Sequence, residues 1–267
     1  MINLANHRGG LALIRSTWLS WMQHRSFFFL LAFGWMIPPL IYLFVWSTAA
    51  RGAPVGGLSR GDFVAYYLTL IVVNQLTYSQ TNWTVGDLIR GGDMNRLLLY
   101  PMSPIYNTLA TELAGKVVYM TFIVPVTALL AVLLRPTLDL TPGAVLAFVP
   151  ALILAWLLRF VWGYWLALLA FWLTRADSLL ALQDTLIFLL AGQVAPVILL
   201  PGALHSAAIL LPFRYMVSFP VEVLTGQVAG NDLLVGFAIQ GVWVLIALAL
   251  YRTLWQRGVQ QYTAVGG

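Results

Sequence analysis

FFFLLAFGWMIPPLIYLFVWST, residues 27–48, decides the class of fold. None of its 22 residues is charged. At 1.5 Å per residue a helix of that length reaches about 33 Å, enough to cross a hydrocarbon core of about 30 Å. Lipid offers the backbone no hydrogen-bond partner, so a spanning segment must be a helix or part of a closed barrel. Comparable runs follow at 63–85 (the most polar of them), 109–134, 144–173, 179–200 and 233–254. No alternating ten-residue pattern of the barrel kind is present. The expected fold is therefore an all-α membrane protein with six transmembrane helices.

Composition agrees. Of 267 residues, 61% are hydrophobic and 9% charged, against about 25% charged in soluble domains. The 11 Trp, 11 Tyr and 14 Phe suit aromatic belts at two interfaces. Cysteine is absent, which excludes disulfides, thiolate metal sites and cysteine nucleophiles. The net charge of +5 is spread over residues flanking apolar runs, so it reads as an orientation signal and not as a nucleic-acid surface. With both ends inside, Arg8, Arg15, Arg25, Arg90, Arg96, Arg175, Arg252 and Arg257 are cytoplasmic. Arg51, Arg60, Arg135 and Arg214 are then outside, and the excess favours an N-in, C-in arrangement. About 25 residues precede the first run without a small-residue cleavage site after it, so that run is expected to be retained.

Three segments depart from a plain series of hairpins. Within 1–26, Leu11, Ile14, Trp18, Trp21 and Met22 form one helical stripe, with Arg15, Ser16, Ser20 and Gln23 off it, which predicts an amphipathic interfacial helix. The connection 87–107 is the longest cytoplasmic one. It holds the turn signal Arg90-Gly91-Gly92-Asp93, then 94–100, then Pro101 and Pro104. Asp93 is placed to cap a short helix that Pro101 would stop after two turns. Such a helix is either a rigid lever or a plain structured loop. Finally, 201–230 is too apolar for a solvated loop and too interrupted by Pro201, Pro212 and Pro220 for a span. Short helices dipping back into the outer leaflet are expected there. Residues 255–267 form a cytoplasmic tail.

Familiar chemistry is missing. A phosphate-cradling loop needs Gly-x-x-x-x-Gly-Lys-Ser/Thr, and the sole lysine, Lys116, precedes Val117 inside an apolar run. His7, His24 and His205 are too far apart for a metal-ligand pattern, and no Gly-x-Ser-x-Gly elbow occurs. The chain is not expected to be an enzyme, nor to bind a metal, a cofactor or nucleic acid. Polar residues within the runs carry more information, because charge in the bilayer costs several kcal/mol. Arg159 lies near the middle of 144–173, where it either lines a polar route or pairs with a carboxylate or helix-end carbonyls. Asn74, Tyr78 and Asn82 share one face of 63–85, beside Gln75 and Thr81, and that face looks at other helices or at a cavity. Glu112 and Lys116 stand four apart in the order that favours an ion pair. Gln183 and Asp184 are expected at the cytoplasmic end of their run.

In order and spacing these parts resemble the permease subunits of ABC-2-type ABC transporters, the small six-span kind. The resemblance rests on the amphipathic start, on Arg90-Gly91-Gly92-Asp93-Met94-Asn95-Arg96-Leu97-Leu98-Leu99-Tyr100-Pro101, on Leu211-Pro212-Phe213-Arg214-Tyr215, on 220–226, and on the ending 257–262 with Gly266-Gly267. It implies that 93–100, with Asp93, Arg96, Leu97, Leu99, Tyr100 and Pro101, is a coupling helix docking on a separate ATPase. It also implies that Pro212, Phe213, Arg214 and Tyr215 belong to an extracellular re-entrant gate. The implied partners are two ATP-binding subunits, which carry the ATP and Mg, and a second permease chain, identical or related, in a bacterial cytoplasmic membrane. Asn74, Tyr78, Asn82 and Arg159 are the candidates for a translocation pathway. An ion-coupled secondary carrier would require paired broken spans in two repeated halves, and no such repeat is visible. A non-transporting accessory subunit would not need a polar face on the second run.

Overall fold

The computed structural model describes residues 7–23, 25–100, 103–173 and 176–262. Among them twelve α-helices form and no strand beyond an isolated bridge between Val55 and Leu58. The order is α1 (His7–Gln23), α2 (Arg25–Ala49), α3 (Arg60–Thr77), α4 (Thr81–Arg90), α5 (Met94–Leu98) and α6 (Ile105–Leu134). Then come α7 (Pro142–Leu168), α8 (Ala176–Leu190), α9 (Gly202–Leu210), α10 (Pro212–Met216), α11 (Ser218–Leu224) and α12 (Gly230–Gln261). Four helices are long and apolar enough to cross a membrane: α2, α6, α7 with the 3-10 turn that prolongs it to Phe171, and α12.

The remaining two expected spans take another form. The run 63–85 is divided: α3 stops at Thr77, Tyr78 turns to an extended ψ of 131°, and α4 starts at Thr81. The run 179–200 is helical only as far as Leu190. Beyond it Pro196, which lacks an amide hydrogen and disfavours helix in the residue before it, precedes a 3-10 turn at Val197–Leu199. At 18 and 15 residues, α3 and α8 reach about 27 and about 22 Å, short of a hydrocarbon core by themselves. Segment 201–230 does fold as short helices, α9 to α11, as its prolines foretold.

The long helices bury narrow stripes and expose wide apolar faces. On α2 the inward residues are Ala32, Met36, Pro39 and Leu43, spaced at helical intervals. Phe33, Ile37, Phe44 and Val45 on the other side are exposed. Apolar side chains on the outside as well as within are the pattern of a protein whose solvent is lipid. α12 lies along α7, α2 along α3, and α1 along α6. Ile14, Trp18, Trp21 and Met22 are the half-buried side of α1, and Arg15, Ser16 and Ser20 its exposed side, as the stripe required; the Leu11 side chain lies outside the described residues. Close approach of α1 to α6 depends on Gly115, where a Cβ would lie 2.8 Å from the Trp21 ring.

Candidate functional site: a polar centre at a helix break

Interrupting a helix frees carbonyl groups that lipid cannot satisfy. At the α3–α4 break the protein supplies its own donors. The Tyr78 carbonyl accepts from Lys116 Nζ at 2.6 Å, and the same ammonium donates to Glu112 Oε1 at 2.8 Å. The side chains of Lys116 and Glu112 are 12% and 4% exposed. The ion pair predicted from their spacing is therefore present, with an added task in holding the break.

Arg159 approaches the same point from α7. It is buried, donates from Nη1 to Asn74 Oδ1 at 2.8 Å and to Thr77 Oγ1 at 3.2 Å, and stands 5.0 Å from the centre of the Tyr78 ring. The expectation that it either lines a polar route or pairs with a carboxylate or helix-end carbonyls is answered differently. Its bonded partners among the described residues are an amide and a hydroxyl, supplemented by an aromatic face. Asp184 of α8 bears on it electrostatically without bonding to it. Asn74, Tyr78 and Arg159 are thus brought together, whereas the side chain of Asn82 lies outside the described residues. Thr77 and the Lys116–carbonyl contact were not foreseen, although Thr77 stands three residues after Asn74 on the same face.

Beside this centre lies a cavity of about 280 Å³. Trp21, Phe28 and Tyr119 line it with aromatic rings, and Gln75, Tyr78, Glu112 and Lys116 contribute polar groups. Asn74 and Arg159 do not line it; their bond joins α3 to α7.

The chain leaves the break through α4 and reaches the loop that holds α5. Arg90, at the end of α4, bonds to Asp87 (2.6 Å) and Asp177 of α8 (2.9 Å), and the hydrogen bonds it donates to Asp177 and Asp87 hold its pKa above the ordinary range. Gly92 then takes a φ of +80°, open to glycine at little cost, and turns the chain into α5. This helix is shorter than expected: one turn, Met94–Leu98, in place of two. Asp93 occupies the position before it but makes no side-chain cap. Met94 and Leu97 are buried, Arg96 is exposed, and Leu99 and Tyr100 are 86% and 51% exposed. Leu97 is consequently an anchor of the loop and not part of its outer face. Pro101 lies outside the described residues. Tyr262, at the end of α12, packs edge-on against Phe171 and lies beside the α5 backbone at Asn95.

At the other end, Pro212, Phe213, Arg214 and Tyr215 do come together. Pro212 opens α10 and Phe213 is buried. Arg214 bonds Glu222 of α11 through Nη2 at 2.6 Å and Nε at 3.0 Å, and the Tyr215 hydroxyl donates to the Ile209 carbonyl at 2.8 Å. Glu222, the partner the sequence did not nominate, is eight residues away across two short helices. Gln240 of α12 ties this corner to α7 by donating to the Tyr215 and Ala151 carbonyls.

Long helices with apolar outer faces, and amides and charges collected within around a helix break, define a polytopic membrane protein with an internal polar centre. The chain belongs to the ABC-2 transporter family: the family described as "ABC-2 family transporter protein" matches it over residues 36–266. It is accordingly an ABC transporter permease, a multi-pass membrane protein of a family that associates with ATP-binding subunits. No curated protein and no solved structure matches the chain.

Proposed function

We propose that this chain is the permease subunit of an ABC exporter, providing a substrate pathway driven by two separate ATP-binding subunits that hold the ATP and Mg. On this reading the crossings number six, with α3–α4 as the second and α8 with the segment after it as the fifth. Both ends face the cytoplasm, and α9 to α11 re-enter the outer leaflet as a gate closed by the Arg214–Glu222 pair. A second permease chain, identical or related, completes the pathway in a bacterial cytoplasmic membrane. The observation that carries the proposal is the build of α5: Met94 and Leu97 fasten it to the body while Leu99 and Tyr100 stand out beyond it. Two large apolar side chains next to a buried anchor make a contact for another protein. Behind α5, α4 leads directly to the break at Tyr78, so that a push at the loop reaches the polar centre.

Co-expression with a candidate ATP-binding subunit tests the proposal. Leu99→Asp is expected to abolish co-purification and to remove any stimulation of ATP hydrolysis, while yield and membrane insertion stay normal. Leu97→Asp should reduce the yield itself. Undiminished co-purification of the Leu99→Asp protein would sink the assignment of α5.

A further inference from the structure

The cavity beside the break carries more than a general role in transport. Its walls come from the first turns of α2 (Phe28, Leu31), from the last turn of α3 and the break (Gln75, Tyr78), and from the early part of α6 (Glu112, Lys116). Chain direction alternates across these elements, which sets the three at one level of the bundle, at the same end as α1 and α5. Phe27, also on the rim, is 59% exposed on the outward side of α2, so the mouth meets the membrane near its cytoplasmic surface. The volume of about 280 Å³ holds a ligand that displaces about nine waters at ~30 Å³ each.

Gln75 is the informative residue. It is 7% exposed, it lines the cavity, and no described residue hydrogen-bonds its amide. An amide held at the cavity wall with no partner among the described residues is open to a group that both gives and takes hydrogen bonds. Next to it, Glu112 and Lys116 already cancel each other. A charged headgroup of either sign would shed its hydration to meet a matched pair, with no uncompensated charge to repay it. A neutral hydroxyl or amide head meets the amide at no such cost. Trp21 and Phe28, stacked at 4.3 Å, with Tyr119 edge-on to both, give the same cavity a continuous apolar surface for the rest of the molecule.

We propose that this cavity is a binding site for an uncharged amphiphile that arrives from the cytoplasmic leaflet, its hydroxyl- or amide-bearing head on Gln75 and its apolar part on Trp21, Phe28 and Tyr119. As a cargo site it rests on the transport reading, but binding itself belongs to this chain alone and needs neither ATP nor partner.

The full chain in nanodiscs is labelled with a benzophenone-bearing dodecyl glucoside, and with dodecyl sulfate and dodecyltrimethylammonium carrying the same photolabel. The glucoside is expected to mark peptides covering 21–31, 75–84 and 111–119, with unlabelled dodecyl glucoside competing. Gln75→Leu, which removes an unpartnered amide and leaves folding intact, should weaken that competition about fivefold. Gln75→Asn keeps the hydrogen-bonding group and should restore part of it. An unchanged competition curve for Gln75→Leu overturns the proposal. Equal marking of the cavity by either charged probe does so too, as does label spread over the outer faces of α7 and α12. Because no ATPase is present, these outcomes are independent of the Leu99→Asp co-purification test.

Discussion

Lys116→Met leaves the Glu112 carboxylate by itself in a site where only 4% of its side chain is exposed. It also takes the donor from the Tyr78 carbonyl, which now faces the break unpaired. Removing one member of a buried ion pair costs about 3–5 kcal/mol, and an orphaned buried carbonyl about 1–3 kcal/mol more. A folded protein holds only about 5–15 kcal/mol in total, so the single variant should be badly crippled. In Lys116→Met/Glu112→Met both charges are gone and the carbonyl loss alone remains. The double variant should thus be the more stable of the two by about 3–5 kcal/mol. At about 2–4 °C per kcal/mol for a chain of this size, that is a gap of roughly 6 to 20 °C. Thermal unfolding followed by fluorescence-detected size exclusion in detergent measures it. The decisive result is the order: a double variant that melts at or below the single variant refutes the account of Glu112 and Lys116 as a buried pair holding the break.

Gly115→Leu would drive a side chain into the Trp21 ring and should detach α1 from α6; limited proteolysis would then cut within 7–23, where the unaltered protein resists. Glu222→Gln strips the partner charge from Arg214, whose side chain is 14% exposed, at a cost of about 3–5 kcal/mol seen as a fall in melting temperature; an unchanged value would contradict the buried pair. At the start of α3, burial pushes the Asp62 carboxyl up, but hydrogen bonds from Thr137 and from the Ser59 backbone outweigh it and hold the group below its ordinary 3.8. A depressed carboxylate stabilises the fold above its unfolded value and loses that contribution as pH falls through the folded one. The melting temperature of Thr137→Val should accordingly trail the unaltered protein near neutral pH and draw level with it well below pH 3.8. A gap that is independent of pH would argue against the linkage.

What the sequence told, it told through periodicity and spacing. The apolar run at 27–48 needed nothing more than its length, and the Glu112–Lys116 pair followed from four-residue spacing on one helix. Asn74 and Tyr78 declared an inward face of the second run. The division of that run was hidden because no proline or glycine lies between Thr77 and Thr81 to announce it. The break is sustained from outside, by a lysine 38 residues further along. The early end of α8 was legible in principle, since Gly192 and Pro196 stand within the fifth run; its apolar composition outweighed them in the reading. Leu97 and Leu99 could not be told apart. A one-turn helix has too few residues to set a face, and only packing shows that Leu97 turns inward and Leu99 outward. Arg214 and Glu222 were separated by the same difficulty, two short helices whose angle no local rule fixes.

The polar centre makes physical sense once the break is regarded as a joint and not as a defect. A continuous helix over 60–90 would transmit motion along its axis and satisfy its own carbonyls, leaving nothing for Lys116 and Arg159 to do. Divided at Tyr78, it becomes two rods, with α4 a lever of about 15 Å between the joint and the α5 loop. Two cations then grip the joint from different helices, Lys116 from α6 through the freed carbonyl and Arg159 from α7 through Asn74 and Thr77. Arg90 ties the far end of the lever to α8. Charges that span such short distances in a medium poor in water are expensive to separate, so the joint favours a few discrete arrangements over a continuum. Bonds from Arg159 to neutral groups suit this better than a carboxylate would. An amide and a hydroxyl can be exchanged for another amide or for water at little cost, whereas a buried ion pair resists being parted. On the transport reading, Lys116–Glu112 is the fixed half of the joint and Arg159 the half that lets go.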